Sequence, residues 1–181
     1  MPKGRRIHIV GGPGSGKTTL ARRLARRLGA VAHDLDGVGY EGGAGLKRPL
    51  DRRLADVRRI ADAPAWVTEG VFLWWTDVLL NRADVIVWLD LPWRVAARRI
   101  LARHVRSSLA GTNRHRGLGN LLRFLRAARR YYRGPAVAPE APDDDGAATR
   151  AATARVLAAH GEKVVRCRRP ADVDAVLRTL S

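Results

Sequence analysis

Residues 11–18 read Gly-Gly-Pro-Gly-Ser-Gly-Lys-Thr, a full match to G-x-x-x-x-G-K-[ST]. The run stands between a strand-like hexamer, Arg5–Val10 (RRIHIV), and a segment, Lys17–Leu28, in which Leu20, Leu24 and Leu28 recur every four residues. That succession is a strand, a glycine-rich turn and an amphipathic helix, the setting the motif requires. Glycines let the backbone turn with its N–H groups inward, forming a nest for phosphate oxygens, and a helix starting at Lys17 adds the positive end of its dipole. The expected phosphate-binding set is therefore Gly11, Gly12, Pro13, Gly14, Ser15, Gly16, Lys17, Thr18 and Thr19. Lys17 is placed to reach the β- and γ-phosphates, and the Thr18 hydroxyl to ligate Mg²⁺, so ATP with Mg²⁺ is the expected cofactor pair. A loop of this kind serves kinases, ATPases, GTPases and nucleic-acid motors alike, so the rest of the chain must separate them.

The rest alternates strand and helix. Short apolar runs at 30–33, 65–68, Val85–Leu89 and 163–167 read as strands, and the unbroken run at Val85–Leu89 as a buried parallel one. Helical spacing predicts helices at 50–61, 73–80, 92–109, 121–132, 147–160 and 171–180. Residues 36–49 and 111–119 read as loops, and 134–147, with three prolines and three consecutive aspartates, as a flexible linker. This pattern predicts an α/β fold with a parallel sheet covered on both faces, and 181 residues suffice for a single domain, 1–181.

The formal net charge is +17, almost all of it from arginine, which points to an anionic partner or to compositional bias. Cys167 is the only cysteine, which excludes an intrachain disulfide and a cysteine-based metal site. His8, His33, His104, His115 and His160 lack metal-ligand spacing. No apolar run approaches the roughly 18 residues of a membrane span, and nothing at the start reads as a signal segment. A cytoplasmic monomer or homodimer with no membrane partner is expected.

Three features resemble the adenylate-kinase-related family of small P-loop kinases, closest to the group called topology-modulation proteins. They are the loop GGPGSGKTTLARRLA, the Thr68-Glu69-Gly70 sequence after the third strand, and Asp90-Leu91-Pro92 followed by Arg99 and Arg103, seven and eleven residues beyond the proline. The resemblance spans roughly 5–133 and implies a five-stranded parallel sheet in the order 2-3-1-4-5 with an arginine-rich lid near 104–119. It also implies an ATP-dependent phosphotransferase, nucleoside-monophosphate-kinase-like, acting on a small-molecule acceptor.

Arg99 and Arg103 are four apart on one helix face, where guanidinium groups clamp phosphates. Arg106, Arg114 and Arg116 extend the cluster into the loop GTNRHRG, which suits a closing lid or a solvated basic face. Asp34 and Asp36 follow the second strand, at the carboxyl edge where ligands bind in such sheets, and read as partners of the acceptor, Asp36 ahead of Asp34, or as helix-cap and turn residues, since Asp36-Gly37 is a turn signal. The expected catalytic set is Lys17, Glu69, Asp36, Arg99 and Arg103.

Glu69 stands where the family carries an acidic residue near Mg²⁺. The continuation GVFLWW replaces the family's aromatic-Pro-Arg, so the arginine that binds an acceptor phosphate is missing and AMP is a doubtful acceptor. Asp90 reads as a cap for the following helix or as a site residue. Trp74 and Trp75 read as core before stacking platforms, Trp66 and Trp88 as core, and Arg48 and Arg52 as acceptor contacts or exposed residues. Arg168, Arg169 and Pro170 fall where the family's loop packs near adenine. The alternative of another class is an ATP-switched nucleic-acid-binding regulator with weak ATPase activity, although no nucleic-acid-binding signature is present.

Overall fold

The computed structural model describes residues 5–111, 117–141 and 144–180. Its centre is one five-stranded sheet, with every strand pair parallel, in the order β2-β3-β1-β4-β5. The strands are β1 (Arg6–Gly11), β2 (Val31–Asp34), β3 (Trp66–Gly70), β4 (Val85–Leu89) and β5 (Val164–Cys167). The order is the expected one. Strands β3 and β4 are buried along their whole length, which is why they read as apolar runs without alternation.

The helices are α1 (Lys17–Leu28), α2 (Leu35–Gly39), α3 (Leu50–Asp62), α4 (Asp77–Arg82), α5 (Trp93–Leu109), α6 (Leu118–Arg133), α7 (Arg150–Ala158) and α8 (Pro170–Thr179). On one face of the sheet Trp66, Ile86 and Trp88 pack with Val57 and Ile60 of α3, Leu79 of α4 and Leu157 of α7. On the other, Ile7, Ile9, Val67 and Val87 pack with Leu20 and Leu24 of α1 and Val176 and Leu177 of α8. Each fully buried aliphatic side chain in these two layers contributes about 1.5–3 kcal/mol. A third, smaller cluster of Ala96, Tyr131 and Tyr132 joins α5 to α6. His8 shares a 2.8 Å hydrogen bond with Thr68, and burial pushes its imidazole down to about 4, so it is neutral at physiological pH.

Several boundaries differ from expectation for physical reasons. The glycine-rich stretch 36–49 opens with most of α2, whose Gly37 and Gly39 disguise it. It is started by Asp34, whose Oδ1 accepts from the Asp36 backbone N–H at 2.9 Å. The helix expected at 73–80 begins only at Asp77, because Phe72, Leu73 and Trp75 are drawn into the core as an irregular turn, with the Thr76 hydroxyl donating to the Phe72 carbonyl at 3.0 Å. The first residues of the expected lid, 104–109, are the last turns of α5, and Leu118 and Gly119 already belong to α6. Arg114 and Arg116 lie outside the described residues.

Asp90 does not cap α5. The cap position is Pro92, with no side-chain bond. The Asp90 carboxylate is buried and takes two guanidiniums instead: Arg166 at 2.7 and 2.9 Å, and Arg150 at 2.9 Å from Nη2 with a shorter contact from Nε. Arg166 also lies over the Trp88 ring, 4.3 Å from its centroid. The pair ties α7 and the edge strand β5 to the end of β4.

Candidate active site

The site opens at the carboxyl edge of the sheet, where β1, β3 and β4 end. Gly11 closes β1, and α1 starts six residues later without a side-chain cap or an acidic residue in its first turn. Its first N–H groups are therefore left for an anion. Gly14 and Gly16 hold φ of 78° and 96°, a left-handed region that a side chain resists, so both positions require glycine. Gly12 is required for space: a methyl group there would fall 2.2 Å from Cδ1 of Tyr131. The Lys17 ammonium bends back to 3.5 Å from the Gly12 carbonyl, and Ser15 Oγ is buried with no hydrogen-bond partner among the described residues.

A cleft of about 820 Å³ runs from this loop across the sheet edge. Pro13 to Thr19 line it, together with Asp36, Glu69, Arg99, Arg103 and Arg106, so the candidate catalytic residues converge on one space. Gly11 and Gly12 lie beneath, buried in the turn. Glu69, beside Ile9 on β1 and Asp34 on β2, points its buried carboxylate at the foot of the loop. Burial raises its proton affinity above the usual carboxylate range, while a hydrogen bond with the Thr18 side chain and the Lys17 charge oppose the rise. Its Oε1 has no hydrogen-bond partner among the described residues. Lys17 is shifted down, first by burial and further by Arg103, against the pull of Glu69, Asp36 and Asp34. Asp36 is shifted up by burial and by Asp34, with Lys17 opposing. A lysine and two carboxylates with mutually adjusted proton affinities in one cleft are a pattern of functional sites.

Arg99 crosses from α5 and donates Nη1–H to the Ser15 carbonyl at 2.6 Å, which fixes a guanidinium on the phosphate loop itself. Arg103, one turn further, lies against the Phe124 ring at 5.8 Å and faces the cleft. Arg106 is exposed and bonds its own helix at the Ala102 carbonyl. The far wall of the cleft is Pro170, Val173, Asp174 and Leu177 of α8. Arg168 and Arg169 turn their backbone N–H groups to Asp172, at 2.8 and 2.9 Å.

Of the two aspartates after β2, the structure separates the roles. Asp34 starts α2, and Asp36 lines the cleft. Arg48 is held by the Val38 carbonyl at 2.8 Å and by Asp56 at 2.9 Å, and Arg52 is exposed. Trp66, Trp75 and Trp88 are core, and Trp74 is half-buried against it.

Four contributors escaped the sequence reading. Tyr131 backs onto Gly12, and the Tyr132 hydroxyl donates to the Pro13 carbonyl at 2.9 Å, so α6 braces the phosphate loop from behind. Arg53 is 1% exposed and stacks over Trp75, 5.2 Å from its ring centroid. Its position on the same α3 face as Val57 was the available signal. Asp145 accepts from Tyr40 at 2.9 Å and from Trp75 Nε1 at 3.1 Å, and it pairs with Lys47 at 3.1 Å. The expected linker therefore reaches back and fastens the loop between α2 and α3.

Sheet order, loop and cleft define an α/β P-loop NTPase fold. No protein-family model and no curated relative matches the chain. Among solved structures, shikimate kinase from Acinetobacter baumannii in complex with shikimate is 17% identical, over 96% of this chain and 89% of its own, with a TM-score of 0.52. A gluconokinase from Sinorhizobium meliloti 1021 is 19% identical over 96% and 87% with a TM-score of 0.48, and shikimate kinase from Aquifex aeolicus vf5 is 17% identical over 97% and 95%, also at 0.48. The likeness is one of fold. It agrees with the resemblance to small P-loop kinases and does not single out the topology-modulation group. No helix among the described residues is long and apolar enough to cross a membrane.

Proposed function

We propose that this chain is an ATP-dependent phosphotransferase that moves the γ-phosphoryl group of Mg-ATP to a hydroxyl-bearing small molecule. The observation that carries the reading is the convergence of Lys17, Glu69 and Asp36 with Arg99 and Arg103 on one cleft at the mouth of the phosphate loop. The residues fit the metal as well. The Thr18 hydroxyl and the buried, unpartnered Glu69 Oε1 are the hard oxygen donors that Mg²⁺ takes, directly or through its waters. When bound, Mg²⁺ neutralises charge on the β- and γ-phosphoryl oxygens.

The chain's own groups divide the remaining work. Backbone N–H groups of residues 14–18 and the Lys17 ammonium hold the phosphates. Arg99, already fixed on the Ser15 carbonyl, and Arg103 on the next turn of α5 meet the charge that spreads over the phosphoryl oxygens in flight. Asp36 accepts the proton of the acceptor hydroxyl as its oxygen bonds to phosphorus and the bond to the bridging β–γ oxygen breaks. Asp34, Asp36 and Glu69 gather negative charge at this end of the cleft, and no arginine follows Glu69-Gly70. Both features favour a hydroxylated acceptor over a mononucleotide phosphate.

The test is a coupled screen of ADP release against nucleosides, nucleoside monophosphates, hydroxy acids and sugars, with wild type and Asp36→Asn. The expected result is acceptor-dependent turnover that falls as acid protonates Asp36, from a pH above the ordinary carboxylate range. In Asp36→Asn that turnover drops about 10²–10⁴-fold. Turnover indifferent to every acceptor, alongside ATP-dependent duplex DNA binding that weakens with salt, would transfer the assignment to the regulator reading.

A further inference from the structure

Away from the cleft, a second cavity of about 460 Å³ lies between α6 and the segment 134–149. Four guanidiniums line it: Arg126, Arg129, Arg130 and Arg133, at the three- and four-residue spacing that puts them on one face of α6. The opposite wall carries Pro135, Val137 and Thr149. Elsewhere the protein gives many of its arginines to carboxylates: Arg6 to Asp84, Arg48 to Asp56, Arg82 to Asp62, Arg150 and Arg166 to Asp90. None of the four groove arginines has a carboxylate within ion-pair distance among the described residues. Residues 91–139 hold twelve arginines and not one aspartate or glutamate. A compositional preference for arginine supplies the cations but does not strip one stretch of every acid. Like charges one turn apart repel, so the row weakens α6 until an outside anion meets it.

We propose that this groove is a second anion site, separate from the phosphate loop, for a phosphorylated small molecule carrying two or more negative charges. The four forks match phosphate oxygens bidentately, the volume is that of a small-molecule site, and Pro135 and Val137 offer an apolar floor for the organic part. The walls are braced. The Gly134 amide donates to the Arg130 carbonyl at 2.7 Å, and the Thr149 hydroxyl donates to the Pro135 carbonyl at 3.0 Å. Each wall is also tied to an element beside the catalytic cleft. The other face of α6 bonds Pro13 through Tyr132, and Asp145, next to the groove residue Gly146, holds Tyr40, Lys47 and Trp75. An anion that draws the two walls together therefore acts on the phosphate loop and on the acceptor end together. The site is regulatory in kind and independent of which acceptor the cleft takes.

Inorganic tripolyphosphate is the probe, titrated calorimetrically and followed by amide NMR shifts at Gly134, Gly146 and Thr149. In Lys17→Ala, which weakens the phosphate loop, one equivalent is expected to remain bound with those amides shifting. Adding Arg126→Glu and Arg130→Glu weakens that binding at least tenfold, and Arg126→Gln with Arg130→Gln gives a smaller loss should the reversal unfold α6. Reversing the exposed Arg94 and Arg98 of α5, outside the groove, leaves it unchanged. Three results overturn the proposal: no shift at the groove amides, equal losses for the Arg94/Arg98 and Arg126/Arg130 reversals, or binding of a twenty-nucleotide single strand at concentrations where tripolyphosphate does not bind.

Discussion

The two ends of the cleft are assembled on different scales. The phosphate end comes from one stretch, residues 11–19, whose backbone geometry is set by glycines at 14 and 16 and whose main partner from outside is Arg99. The proposed acceptor end has Asp36 after β2 and Glu69 at the end of β3, and the neighbouring α2 packs near Trp75, which is itself held by Arg53 and by Asp145 from beyond α6. The difference teaches where each end is vulnerable. The first is a cradle of main-chain groups, insensitive to most side chains but not to Lys17. The second is a set of side chains that must be held in place by distant parts of the chain.

The sharpest test of that contrast is Lys17→Ala, expected to lower ATP turnover by about 10²–10³-fold while the melting temperature hardly moves. A variant with near-normal turnover would break the phosphate-end assignment. Next is Asp90→Ala, which strands Arg150 and Arg166 and is expected to cost about 3 kcal/mol in denaturant unfolding, at the low end for a buried pair because both arginines can turn to water. An unchanged midpoint would show that the edge strand is held by packing alone.

Asp145→Ala is expected to raise KM for the acceptor roughly tenfold, about 1.4 kcal/mol, with the Kd for ATP unchanged. A parallel loss at both ends would dissolve the distinction between them. The smallest effect is expected from Glu69→Gln in the absence of nucleotide. Burial raises the proton affinity of Glu69 in the folded state, so its ionised form detracts from stability. That cost is absent below the ordinary carboxylate range and fully present above the raised value. The glutamine variant should therefore melt slightly higher than wild type at pH 7 and no higher at pH 3, even as it loses turnover. A lower melting temperature at pH 7 would show that the Thr18 hydrogen bond outweighs the burial.

The same division explains what could be read without coordinates. The buried strands, the phosphate loop and the α5 arginines are local patterns: an apolar run, a glycine spacing, two residues four apart, while the strand order came with the family resemblance. The acceptor end is not local. Nothing about Asp145 in a run of three aspartates marks it as the partner of Tyr40, 105 positions earlier. Asp90 before Leu-Pro looks like a helix cap because its true partners lie 60 and 76 residues away. Tyr131 and Tyr132 read as helix interior, and only the closeness of Gly12 reveals what they support. Arg53 was legible in principle. It shares the buried stripe of α3 with Val57 and Ile60, but a charged residue is discounted there until stacking on Trp75 accounts for it.

The late anchor at Asp145 also sets an order of assembly on the ribosome. β1, β3 and β4 can pair once residue 89 has emerged, with α1 already available to cover one face. The loop between α2 and α3 closes on itself early, with Arg48 bonding the Gly39 and Val38 carbonyls, but its tie to Asp145 waits until more than fifty further residues have been made, and β5 joins the sheet later still. A nascent chain stalled before residue 145 would carry the strands that frame the phosphate loop beside a loop after α2 that still lacks its Asp145 anchor.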